Sequence, residues 1–255
     1  MKPTLLLATL GLVAATLTPL SAATITFGTE TDYTNNFTET ANGTELSWNN
    51  GGYLDEYHAT TTTSSVARYN TAVSGDFNLS LDASFTSNLG SYAGASVGFL
   101  TQVNGTDATS TGYLSVFRLT TTGADFRVFE GATLNGTSVG TTLVTRTISG
   151  SFSANTYYTF SLDVEHTETG LTFIGSILNA TTGSVIGTFT SYTNTTPTNA
   201  DGSTVGIRLG TINGTHTYAD NFDVTLSAIP EPSTYGLLGG ASILGLVLCT
   251  RRKRA

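Results

Sequence analysis

Cysteine is nearly missing: the only one, Cys249, lies close to the C-terminal end. A disulfide scaffold and a thiol nucleophile are therefore both excluded from the rest of the chain. Lysine is missing between Lys2 and Lys253. Charged residues make up 11% of the sequence, against about 25% in ordinary soluble proteins. Between residues 23 and 229 the only cations are Arg68, Arg118, Arg127, Arg146 and Arg208, set against seventeen carboxylates, a net charge of −12. Five scattered arginines make no basic run, which argues against nucleic acid as a partner. No stretch of this region carries the 3.6-residue periodicity of an amphipathic helix. H-E-x-x-H and G-x-S-x-G are absent too, so zinc-protease and serine-hydrolase readings have no support.

In place of charge the sequence has Thr, Ser, Asn and Gly, a composition that is solvated by hydroxyls and amides and suits strands. Apolar residues alternate with polar ones in short runs separated by Asn-Gly, Thr-Gly and Ser-Gly turns. Asp76 to Phe85 places Phe77, Leu79, Leu81, Ala83 and Phe85 on one face. Tyr158, Phe160, Leu162 and Val164 alternate in the same way, and after Glu168-Thr169-Gly170 the chain resumes with Leu171, Phe173 and Ile177, which predicts an antiparallel hairpin. Further strands are expected around Val97, Tyr113 to Leu119, Phe126 to Phe129, Leu143 to Ile148, Val185 to Phe189, Val205 to Leu209 and Phe222 to Leu226. Many one-faced strands must pack face to face or close on themselves. The expectation is an all-β, two-sheet antiparallel sandwich, with a barrel or a short solenoid as second choices.

The two ends read as export signals. Residues 1–22 have a lysine, an apolar segment from Leu5 to Leu20 and small residues after it, the layout of a signal peptide. Residues 230–255 begin with Pro230-Glu231-Pro232, continue through an uncharged run from Thr234 to Thr250, and finish with Arg251-Arg252-Lys253-Arg254. That run is short but feasible for a membrane helix, which needs about 17–25 residues, so a C-terminal transmembrane helix is expected, its end held in the cytoplasm by the basic cluster. The ectodomain is then residues 23–229.

This tail resembles the PEP-CTERM signal of Gram-negative envelope proteins. The resemblance implies recognition of Pro230, Glu231 and Pro232 by an exosortase-type membrane peptidase, with Arg251, Arg252, Lys253 and Arg254 as the retaining end. It implies an inner-membrane precursor delivered to the cell surface or extracellular matrix. The ectodomain in turn resembles the concanavalin-A/laminin-G-like jelly roll, through Phe27, Phe37 and Trp48, the hairpin from Tyr157 to Phe173, and the closing Tyr218-Ala219-Asp220-Asn221-Phe222-Asp223-Val224. Members of that superfamily bind glycans, bind calcium, cleave polysaccharides or are purely structural.

Three sets of residues are candidates for chemistry. Asp220, Asn221 and Asp223 offer oxygen ligands suited to calcium, with Glu30 or Asp32 as a further carboxylate. Trp48, Tyr53 and Tyr57 are candidates for stacking on sugar rings, joined by Tyr69 and Tyr92. Asp163, Glu165 and Glu168 resemble the carboxylate row of sandwich glycosidases with the first two residue types exchanged, but a solvated strand face running into a hairpin is the better reading of them. His58, His166 and His216 stand far apart, and none has a second histidine or cysteine at metal-ligand spacing. The leading functional expectation is a non-catalytic exported surface or matrix protein with no required cofactor. A calcium-dependent module binding extracellular polysaccharide is the alternative, and a glycoside hydrolase is third.

Overall fold

The computed structural model describes residues 20–40, 46–57, 63–86, 96–211 and 214–226. They belong to one compact unit, Leu20–Ser227. The signal segment lies outside them apart from Leu20–Ala22, and residues 227–255, with Pro230, Glu231, Pro232 and the basic cluster, lie outside them entirely. No helix of the described residues is long and apolar enough to cross a membrane.

Sixteen strands and one short helix follow in order: β1 (Leu20–Ile25), α1 (Glu30–Asn36), β2 (Phe37–Glu39), β3 (Ser47–Asn49), β4 (Tyr53–Tyr57), β5 (Thr63–Tyr69), β6 (Phe77–Phe85) and β7 (Ser96–Val103). Then come β8 (Thr111–Thr120), β9 (Gly123–Thr133), β10 (Thr141–Ser149), β11 (Tyr158–Thr167), β12 (Gly170–Asn179), β13 (Val185–Thr188), β14 (Tyr192–Asn194), β15 (Thr204–Thr211) and β16 (His216–Leu226). One sheet runs β13-β12-β11-β6-β16-β4-β3, with β1 beside β16 and β14 beside β12. The other runs β10-β9-β8-β7-β15-β5-β2. We call them sheets A and B. Their strand pairs are antiparallel, and the expected hairpin forms with Tyr158 opposite Asn179 and Thr167 opposite Gly170.

The two sheets enclose a core of rings. Twelve of the thirteen phenylalanines are buried. Each contributes about 1.5–3 kcal/mol by leaving water, which is how the unit does without cross-links. Phe117 of sheet B meets Phe160 of sheet A at a centroid distance of 5.6 Å and Phe126 at 4.9 Å. At the other end Phe37 packs on Phe27, Tyr69 and Phe222 at 5.3–5.7 Å.

The helix was not expected. Its seven residues are too few for a visible apolar stripe, but Thr29 and Asp32 form a capping box that satisfies its first donors. The last strand is also longer than expected. It starts at His216 rather than Phe222, because a bulge between Asp220 and Phe222 interrupts the alternation. Asn221 takes up the extra residue with a φ of 49°. As a result His216, Tyr218 and Asp220 share the outer face of sheet A with Asp223 and Thr225.

Candidate glycan-binding platform on sheet A

Strands β4 and β16 pair with Tyr57 opposite His216 and Asp55 opposite Tyr218. Leu54 and Ala219 point into the core, fully buried, so Tyr53, Asp55 and Tyr57 must point out of the sandwich beside His216 and Tyr218. The rings form a continuous row. Tyr57 stacks on His216 at 4.2 Å with 16° between planes, and His216 stacks on Tyr218 at 5.4 Å with 27°. Tyr53 meets Tyr218 edge-on at 4.7 Å. Tyr57 is 45% exposed, and only Val139 and Val185 join it as exposed large apolar residues among those described.

Polar groups border the row. His216 Nδ1 lies 2.9 and 3.0 Å from the two oxygens of Asp55. Asp220 lies opposite Asp82 of β6, and Asp82 accepts from Thr159 Oγ1 at 2.5 Å and from Asn221 Nδ2 at 3.0 Å. Tyr157 stands beside this group: burial raises its phenol, and Asp220, Tyr53 and Asp82 add to the rise while a hydrogen bond with Ser84 opposes it. Burial also raises the Tyr218 phenol, helped by the Asp55 charge. Both tyrosines therefore stay neutral donors at physiological pH.

The expected stacking residues separate. Tyr53 and Tyr57 are on the platform. Trp48 is not: it lies opposite Leu54 on the inward face, and its Nε1 donates to Phe27 O at 2.8 Å. It pins β3 to the chain after β1. Tyr69 is in the core, and Tyr92 and His58 lie outside the described residues. His216, Tyr218 and Tyr157 were not singled out as sugar-binding residues. Their signal was the alternation of His216, Tyr218 and Asp220, hidden by the bulge that follows.

The calcium candidates are adjacent but are used in other ways. Asp220 Oδ1 accepts from Asn221 N at 2.8 Å and from Phe27 N at 3.3 Å. Asn221 binds Asp82, and Asp223 sits on the outer face between Thr24 and Ser80. Asp32 is taken by the Thr29 backbone and hydroxyl at 3.1 and 2.8 Å, and Glu30 is exposed. Among the described residues no three Asp, Glu, His or Cys side chains come close enough to hold a metal ion. Of the carboxylate row, Asp163 accepts from Asn78 Nδ2 at 2.7 Å, Glu165 is exposed on the same face, and Glu168 is exposed in the turn. His166 is held at Asp76 by its backbone N–H, 2.7 Å, and its Nδ1, 3.2 Å, away from the platform.

Comparison with known proteins addresses the tail and the fold separately. A family model described as the PEP-CTERM protein-sorting motif matches residues 228–253. The tail is that motif. No curated protein matches the chain in sequence. Among solved structures, lectin I-B4 from Griffonia simplicifolia, in a metal-free form, is 13% identical, with 80% of this chain and 98% of the lectin covered at a TM-score of 0.53. Lectin II from Ulex europaeus is 10% identical, with 82% and 99% covered and a TM-score of 0.52. The exoplasmic/lumenal domain of VIP36, solved with Ca2+ and Man3GlcNAc, is 10% identical, with 77% and 87% covered and a TM-score of 0.51. At such identities the likeness concerns the fold alone: the unit is a two-sheet antiparallel sandwich resembling the legume lectins. It agrees with the concanavalin-like expectation and displaces the barrel and the solenoid.

Proposed function

We propose that this chain is an exported carbohydrate-binding protein whose platform on sheet A stacks against sugar rings. The observation that carries the reading is the row Tyr57–His216–Tyr218–Tyr53, partly open to solvent in a unit that buries twelve of its thirteen phenylalanines. Tyr57 lays one face on His216 and, at 45% exposure, offers the other as the flat apolar surface that the C–H side of a pyranose covers, and Asp55, Asp82 and Asp220 beside the row accept hydroxyl hydrogen bonds. The lectin-type fold of its neighbours and the sorting motif support the same reading. The tail would be processed by an exosortase-type membrane peptidase at the inner membrane of a Gram-negative cell, releasing the unit to the cell surface or matrix. No catalytic residue is assigned. Calcium is a candidate cofactor because VIP36 was solved with it.

The test is calorimetric titration of the purified chain with neutral oligosaccharides, with calcium and then with EDTA. Saturable binding weakened by Tyr57→Ala is expected. The reading fails if every neutral glycan gives no heat, or if Tyr57→Ala binds as the wild type does.

A further inference from the structure

The five arginines between residues 23 and 229 all lie on strands of sheet B. Inward positions on these strands are Phe99, Phe117, Phe126, Ile207 and Ala67, all fully buried. Alternation then turns Arg68, Arg118, Arg127 and Arg208 to the outer face, and Arg146, opposite Phe126, inward. On those outward positions the one carboxylate is Asp125, which pairs with Arg118 and lies 3.6 Å from Arg127. The outer face of sheet A carries Asp55, Asp82, Asp163, Asp220 and Asp223. Among the described residues, four of these five arginines thus share the outer face of sheet B, beside a second buried cluster that includes Val66, Leu100, Leu114 and Leu134.

Arg208 is the unusual member. Its neighbour Gly98 has no side chain, and a Cβ there would come within 3.3 Å of Arg208 Cβ. Arg208 Nη1 would lie 3.8 Å from a Cβ on Gly210. Two glycines therefore let the arginine lie flat along the sheet. Its Nε is sealed from solvent and has no hydrogen-bond partner among the described residues. Burial pushes the guanidinium below the usual arginine range, with the Glu56 charge opposing the shift. Arg208 pairs with Gly98, Gly98 with Val116 and Val116 with Arg127, so Arg208 and Arg127 lie on one row, three strand spacings or about 14 Å apart.

We infer that the outer face of sheet B binds a carboxylate-bearing polysaccharide, with Arg208 and Arg127 as its principal contacts. With the Arg208 Nε sealed, the two Nη groups form the planar fork that a carboxylate matches with two parallel hydrogen bonds. Lysine, a point charge with no such geometry, is absent from the unit. The repeated carboxylates of an extended uronic-acid chain match a row of fixed arginines, and the sorting motif directs the protein out of the cytoplasm, where such polymers are found. This face is opposite the tyrosine platform and does not depend on it.

The experiment is titration of the purified full chain at low salt with polygalacturonate, its fully methyl-esterified form and dextran sulfate. Polygalacturonate should bind in a salt-sensitive way and the ester should not. Arg208→Gln and, separately, Arg127→Gln should each weaken binding by about ten- to hundredfold, the loss of one charged hydrogen-bonding partner. Melting temperature and neutral-sugar binding should be unchanged in Arg127→Gln, which keeps the test valid if Arg208→Gln fails to fold. Arg208→Lys should recover only part of the affinity. The inference is overturned if the ester binds as well as the acid, or if Arg127→Gln binds as the wild type does. Binding of dextran sulfate alone also overturns it, in favour of a sulfated ligand. So does salt-reversible self-association that Arg127→Gln abolishes while polygalacturonate is ignored, because the face would then belong to the acidic side of another copy.

Discussion

His216 is clamped to Asp55 across the β4–β16 pair, its Nδ1 within 3.0 Å of both carboxylate oxygens. The contact fixes the central ring of the stack, so Tyr57 and Tyr218 lie against a surface that does not rotate. Asp55→Ala should therefore weaken sugar binding without removing any stacking surface, by about 1 kcal/mol, or roughly fivefold. Titration calorimetry against the same glycan would show it. An unchanged affinity would mean that the imidazole does not need its carboxylate.

Trp48 separates stability from binding in the opposite sense. Its indole packs against the core and donates to Phe27 O. Trp48→Phe keeps most of the apolar surface and loses that donor, leaving a part-buried carbonyl unpaired. We expect a loss of about 1–2 kcal/mol in urea denaturation and no change in sugar affinity. Weaker sugar binding at unchanged stability would return Trp48 to the ligand.

Strands such as β6 and β11 were legible because they alternate, whereas β7 and β15, buried on nearly every position, carry a weaker pattern. Phe77 to Ala83 and Tyr158 to Val164 each bury one parity and leave the other partly open, and that pattern predicts both the strand and its inward face. The platform was half legible. Tyr53 and Tyr57 are two apart on one strand, so their shared face is visible locally. Their partners His216 and Tyr218 lie about 160 residues further on, and the Asn221 bulge shifts the parity between them and Phe222. Trp48 was misread because an indole suits a core and a sugar site equally, and only the fold decides. The arginine-bearing face of sheet B was invisible for another reason. Arg68, Arg118, Arg127 and Arg208 sit on four strands, and only the order β9-β8-β7-β15-β5 brings them to one surface.

Asp220 offers a test of the calcium expectation. Its Oδ1 takes two backbone N–H groups, one in the bulge and one at Phe27 next to β1. Asp220→Ala would strand both donors. It should cost about 1–3 kcal/mol, equally in calcium and in EDTA. A loss seen only in calcium would give Asp220 a metal to hold.

Glu130 gives the unit an acid-sensitive joint. Burial by itself would raise this carboxyl, but hydrogen bonds from Tyr113 Oη at 2.6 Å, Thr198 N at 3.1 Å, Thr198 Oγ1 at 2.8 Å and Asn194 Nδ2 at 3.3 Å outweigh burial and hold it below its ordinary 4.5. A depressed carboxyl contributes its stability above its unfolded value and loses it as pH falls through the folded one. The difference between wild type and Glu130→Gln should thus be constant above about pH 5 and shrink below it. Melting curves across that range would test it, and a difference that grows on acidification would contradict it.

Gly175 shows how closely the two sheets approach. It sits mid-strand in β12 opposite Leu162, where glycine ordinarily weakens a strand and a β-branched residue strengthens it. Here a Cβ would lie 2.9 Å from Phe117 Cε1 and 2.9 Å from Phe126 Cδ2, both on fully buried rings of sheet B. Those rings are locked by Phe160 and Phe189 and have nowhere to move. Overpacking should prevail over strand propensity, so Gly175→Val should destabilise the unit by about 1–3 kcal/mol. The neighbouring Ser176→Val faces solvent and should be neutral or slightly stabilising. Urea midpoints of the two variants decide the matter, because equal midpoints would mean that the rings yield and the sheets can part at Phe117.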